Sequence, residues 1–173
     1  MAKFLPAVTF VLKNEGGLVD NAEDAGGITN FGVSLAFYKK KIKIDADKND
    51  IRHLSAATAE RIYFEYFWQR LPFDDINSQE IATRLFDLTV NTGQAHAIAM
   101  IQRAINNVNP SEHILVDSQF GVKTLTAINT LDEHKLYNAL ICEASKYYHD
   151  IAKHGNNQVF LKGWLHRLES PMI

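Results

Sequence analysis

From Phe4 to Leu168, apolar residues recur at the three-and-four spacing of a helix, and one Gly-rich stretch, Gly16 to Gly32, breaks that rhythm. Such a chain buries its apolar stripes helix against helix and has material for only a small β element. The strongest stripe is Ile81, Leu85, Leu88 and Thr92, opened by a capping-box pattern at Asn77 and Glu80 and stopped by Gly93. Before it, a first helix from Phe4 to about Glu15 tolerates Pro6 in its opening turn. Ser34 caps a helix to about Lys43, Asp45 to Asp50 reads as a charged loop, and Ser55 opens an aromatic-rich helix ended by Pro72. Beyond Gly93 come helices over Ala95–Asn106 and Gly121–Asn129, separated by an Asn/Pro/Ser-rich loop. Another, opened by Thr130 and Glu133, runs to Gly155, and a last one covers Gln158–Leu168. With 173 residues and no repeat or linker, the expectation is one mainly α domain, residues 1–173, with a small hairpin after the first helix.

Composition narrows the function. A net charge of -2 and a pI near 6.4 give no basic field for nucleic acid. The cluster Lys39-Lys40-Lys41 with Lys43 reads as a solvated helix face. Cys142, the lone cysteine, permits no internal disulfide and is expected at a core or boundary position. The histidines form no metal-ligand spacing, so neither metal nor cofactor is expected. No apolar run reaches the ~18 to 20 residues of a membrane span. The N-terminal run is broken by Pro6 and Thr9 and lacks a small-residue cleavage site, so no classical export signal is expected.

Glu15 breaks a rule. It ends the first helix, where the helix dipole disfavours an anion, and Gly16-Gly17 follow at once. It also continues the apolar stripe of Phe4, Val8 and Val11. Each circumstance disfavours the charged form, so an elevated pKa is expected. A carboxyl kept protonated near neutral pH is what general acid catalysis needs.

Asp24 follows Glu15 by nine positions and Thr29 follows Asp24 by five, with glycine pairs between them. An acid at a helix end facing a carboxylate on a hairpin suits glycoside hydrolysis. One group protonates the leaving oxygen, the other activates water or stabilises the oxocarbenium-like centre, and a threonine hydroxyl holds the water. By position alone Asp20 and Glu23 are rival second carboxylates, and turn and strand duties account equally for Asp24 and Thr29.

The run Glu15-Gly16-Gly17-Leu18-Val19-Asp20 with Asp24-Ala25-Gly26-Gly27-Ile28-Thr29-Asn30-Phe31-Gly32-Val33 resembles the signature of glycoside hydrolase family 108. Members are N-acetylmuramidases of phages and bacterial genomes, some described as secretion activators. The resemblance continues through Tyr66-Phe67-Trp68, Phe86 to Gly93, Val116-Asp117 with Gly121 to Leu125, and Lys162-Gly163-Trp164 with Arg167. Val122 stands where many members have Pro. The chain is also similar to phage lysozymes with a Glu, Asp, Thr trio, although their Asp to Thr interval is one residue longer.

The resemblance implies a lysozyme-like helical fold, with residues 1–93 a catalytic half and 94–173 a helical half like the family's peptidoglycan-binding segment. It implies Glu15 as catalytic acid, with Asp24 and Thr29 at the water. The expected activity is hydrolysis of the β-1,4 bond between N-acetylmuramic acid and N-acetylglucosamine. The expected partners are peptidoglycan glycan strands, met by a monomer at the cell wall, with an endolysin, a prophage remnant and a secreted effector all compatible. A lytic transglycosylase and a non-catalytic wall-binding or secretion-accessory protein are the alternatives. Asp87 and Asn91, one turn apart, line the cleft or knit a buried network. Tyr66 and Trp68 stack on a sugar ring or pack in the core.

Overall fold

The computed structural model describes residues 1–20, 27–155 and 157–171. Its elements run α1 (Phe4–Glu15), β1 (Thr29–Asn30), β2 (Val33–Ser34), α2 (Leu35–Lys41), α3 (Lys48–Arg52), α4 (Ala56–Tyr66) and α5 (Gln79–Thr92). Then follow α6 (Gln94–Val108), α7 (Val122–Thr130), α8 (Glu133–Ala152) and α9 (Leu161–Glu169). The fold is mainly helical, with one small antiparallel hairpin after α1, as the apolar rhythm requires.

Helix α5 is the axis of the molecule. Every residue from Ile81 to Thr89 is buried, so the helix is covered on all sides. Helix α1 lies on one flank, α6 and α8 on others, and α9 packs back onto α8. One apolar cluster runs from Val8 and Val11 through Leu85 and Phe86 to Ile101, Leu136, Tyr148 and Leu168. Each fully buried Leu, Ile or Phe there contributes about 1.5–3 kcal/mol. The halves 1–93 and 94–173 therefore share a core. A smaller cluster of Val33, Leu54, Ala59 and Ile62 anchors the hairpin side.

The hairpin pairs Thr29 with Ser34 and Asn30 with Val33, and Val19 bridges to Thr29 on the other edge. Its turn residues Phe31 and Gly32 both have positive φ, 51° and 75°, the geometry of a tight primed turn. Phe31 is an unusual occupant of that conformation. Its ring packs on the smaller cluster, and its carbonyl accepts from the Tyr63 hydroxyl at 2.9 Å.

Several boundaries differ from the sequence expectation. The cap of α5 is Ser78, whose hydroxyl accepts from Ile81 N, and that of α8 is Asp132, which accepts from Lys135 N. Each stands closer to its apolar stripe than Asn77 or Thr130, the caps the sequence pattern favours. The second half of the charged loop is already helical, as the start of α3, which a reciprocal capping box between Asp47 and Asp50 opens. Cys142 is exposed on α8. Lys39, Lys40 and Lys41 are exposed in the last turn of α2, where the dipole favours cations.

Candidate active site

Glu15 is the last residue of α1, and Gly16 stops the helix with φ 71°. Buried Val8 and Val11 seat the helix on α5, which delivers the carboxyl to the seam between α1, the hairpin and α9. Its side chain is 19% exposed. Oε1 accepts from Arg167 Nη2 at 2.7 Å, and Oε2 lies toward the hairpin turn. A Cβ at Gly32 would stand 2.7 Å from Oε2 and 2.8 Å from Glu15 Cγ, and closer still to the Tyr63 hydroxyl. A side chain has no room there.

Arg167 belongs to a buried charge network. Its Nε and Nη2 both donate to Asp87 Oδ1, at 2.9 and 2.7 Å. Asp87 is fully buried and also faces Arg84 Nη1 at 3.4 Å, one turn back on α5. Arg84 is itself fully buried and donates to the carbonyls of Arg167, Leu168 and Ser170, tying down the end of α9. Tyr137 Oη accepts from it, and Phe10 lies under its guanidinium at 4.9 Å. Burial opposes the Arg167 charge, but Asp87 and Glu15 outweigh that and hold its pKa above the usual guanidinium value. Burial first, and then the Glu15 charge, push the Tyr63 phenol well up, so it is a neutral donor. The apolar stripe behind Glu15 is as expected, but the guanidinium beside it corrects the sequence reading, since a cation at 2.7 Å favours the charged carboxyl that the helix end and the stripe disfavour.

The other expected site residues scatter. Asp24, and its rival Glu23, lie outside the described residues. Thr29 is half-buried on β1, its side chain on the face opposite buried Asn30, which bonds Ile51 O. Asp20, the other rival, is held by Lys48 Nζ at 3.0 Å and Arg52 Nη2 at 2.6 Å, fastening the segment before the hairpin to α3. Lys48 and then Arg52 lower its pKa against a desolvation cost. Asp87 belongs to the buried network. Asn91 accepts from Tyr148 Oη at 2.7 Å, and Tyr148 stacks on Trp164. Tyr66 donates to Lys41 O at 2.8 Å and meets Phe37 edge-on. Trp68 is 1% exposed, wedged among Phe4, Phe73 and Phe86, with Nε1 donating to Asp74. Its faces are covered, so no sugar reaches them.

Beside Glu15 a cavity of 180 Å³ opens between the hairpin and α4, walled by Gly32, Ser34, Phe37, Tyr63, Phe67 and Val90. Larger hollows of 480 and 300 Å³ lie on α8 around Cys142 and His149, and on α7 around Lys123. Neither contains a residue that touches Glu15. Among the described residues no cluster of three His, Cys, Asp or Glu side chains could hold a metal ion. No helix among them is long and apolar enough to cross a membrane.

Comparison with known proteins gives two family matches. The glycosyl hydrolase 108 profile covers residues 8–93, and one described as a predicted peptidoglycan domain covers 96–169. A search of curated proteins finds no match. Among solved structures, Brucella abortus SagA is similar with a TM-score of 0.79 and 27% identity, over 96% of this chain and 89% of that one. The two matched segments meet where Arg167, from the second, pairs with Glu15, from the first. A peptidoglycan-acting glycoside hydrolase thus spans both, and the chain belongs to the glycosyl hydrolase 108 family.

Proposed function

We propose that the protein is an N-acetylmuramidase that hydrolyses the β-1,4 bond between N-acetylmuramic acid and N-acetylglucosamine. The observation that carries this reading is the setting of Glu15: one oxygen fixed by Arg167, the other turned to the hairpin beside an open cavity. In the reaction Glu15 gives the proton on Oε2 to the glycosidic oxygen as the C–O bond breaks. Arg167 holds Oε1 and so fixes which oxygen carries that proton. Asp87 takes two of the Arg167 N–H bonds, leaving Glu15 one shared donor. Asp24, with the Thr29 hydroxyl, activates the water that attacks the anomeric carbon. By likeness to the trio-bearing phage lysozymes, that attack inverts configuration. The protein works at the cell wall, in the periplasm or outside the cell, after release or dedicated export.

Purified peptidoglycan clarified by the wild type and not by Glu15→Gln, with binding retained, is the expected result. Equal clarification by both proteins would reject Glu15 as the acid. Binding without clarification by either would favour a wall-binding role. Anhydro products that persist in Asp24→Ala would favour transglycosylation.

A further inference from the structure

We infer that Tyr63 is a positioning residue for the acid: its phenol spends its one proton on the Phe31 carbonyl and turns its lone pairs toward Glu15 Oε2, which keeps the acid's proton on that oxygen. The role rests on the hydrolase assignment above. Glu15 needs such a neighbour. Arg167, 2.7 Å from Oε1, favours a charged carboxyl, whereas the reaction requires a protonated one. Asp87 offsets part of that pull by taking two of the Arg167 N–H bonds. Among the described residues, Arg167 on α9, Asp87 on α5 and Tyr63 on α4 are the ionisable groups around Glu15, and the hairpin brings its turn backbone.

Packing fixes where the phenol points. Tyr63 is buried, its ring tilted on Phe67 at 5.6 Å and edge-on to Phe86 at 6.4 Å. So held, it reaches the hairpin turn, where the hydroxyl donates to Phe31 O at 2.9 Å. A phenol has one proton to give and still has lone pairs to offer. The point where a Gly32 Cβ would stand is 2.7 Å from Glu15 Oε2 and nearer still to Tyr63 Oη, so both oxygens converge on the notch beside Gly32. An oxygen whose proton points elsewhere repels a carboxylate and attracts a carboxyl proton, which favours the protonated acid. Burial and then the Glu15 charge hold the phenol neutral, so its influence is the same throughout the range in which a carboxyl titrates. The same hydrogen bond holds the turn at Phe31, whose φ of 51° is one that bulky side chains rarely adopt. Strain of this kind collects where a structure must hold a functional group in place.

Tyr63→Phe keeps the ring and removes only the oxygen. The test compares its kcat/KM on solubilised peptidoglycan with that of the wild type as a function of pH. The alkaline limb, where the acid loses its proton, should move to lower pH by about half a unit or more. A carbon-13 titration of the Glu15 carboxyl, which needs no substrate, should move in the same direction. If both curves stay in place while activity falls equally at every pH, Tyr63 is only a clamp on the turn and the proposal is overturned. Movement to higher pH overturns it as well, because the phenol would then be donating to the carboxylate. Should Tyr63→Phe misfold, the same two curves are compared between Phe31→Gly and Phe31→Gly/Tyr63→Phe, since glycine takes a positive φ without the clamp. A carboxyl titration that moves as expected, in a protein whose wild type leaves peptidoglycan intact, would instead sink the hydrolase reading and keep the influence of Tyr63 on Glu15.

Discussion

Arg167 Nη2 sits 2.7 Å from Glu15 Oε1 although 152 positions separate them in the chain. The contact joins the last helix to the first, and the candidate acid is complete only when the chain is threaded to its far end. Residues 96–169 therefore supply part of the candidate site.

Replacing Arg167 by Gln should depress cleavage by about 10²-fold, since Glu15 loses the contact that orients it. Asp87 would also lose its principal partner, and breaking a buried pair costs about 3–5 kcal/mol. Arg167→Lys should keep more stability than activity, because an ammonium cannot span Asp87 and Glu15 as the fork does. Urea midpoints alongside peptidoglycan turbidity, both measured well below the unfolding transition, separate the two effects.

Gly32→Ala should abolish activity while the fold survives. The added methyl would overlap Glu15 and Tyr63 on a backbone already at φ 75°, at a strain of about 1–3 kcal/mol. Retained circular dichroism with lost clarification is the expected pair of observations. Full activity in this variant would mean that the Glu15 carboxyl is free to lie elsewhere.

Asp20→Asn should leave cleavage near wild type, whereas Asp24→Asn should remove it. Asp20 is committed to Lys48 and Arg52, and its folded pKa lies below the ordinary carboxylate value. Its contribution is thus present above the unfolded pKa and fades as pH falls through the folded one. The wild type should be more stable than Asp20→Asn near neutrality, with the difference fading as pH falls through the lowered folded-state pKa of Asp20. Urea denaturation of both proteins across that range reads the sign directly.

Trp68→Ala should destabilise the protein by about 3–5 kcal/mol, the usual cost of emptying a buried aromatic site. Titration with sugar should leave Trp68 fluorescence unaltered, because its ring is covered by Phe4, Phe73 and Phe86. A quench or blue shift assigned to Trp68 on binding would require the ring to open to the cleft.

Much of the fold is legible in the sequence. The helical stripes located α5 and its neighbours, and the acid at a glycine stop singled out Glu15. Helix starts were harder to place. Asn77 and Thr130 have the side chains of caps, but the chain turns in at Ser78 and Asp132, and only geometry distinguishes adjacent candidates. Helix α3 leaves no periodic signal in the sequence, because its five residues are too short to show one. Arg167 had no local signal, since its importance comes from a contact across the fold. One clue does exist: Arg84 and Asp87 stand among the apolar stripe residues of α5, and buried charges require partners from elsewhere. The same clue decides between cleft strip and internal network for Asp87, whose oxygens are both engaged inside the protein.

Helix α9 buries only Leu168 fully and is fastened at its end by the carbonyls that Arg84 collects. Short, lightly packed terminal segments open at lower free energy than the body they dock on. Warming should therefore silence the enzyme before it melts: α9 frays, the guanidinium departs, and an idle acid remains on an otherwise intact scaffold. Cooling would re-arm it as α9 docks again, with the rest of the scaffold unchanged.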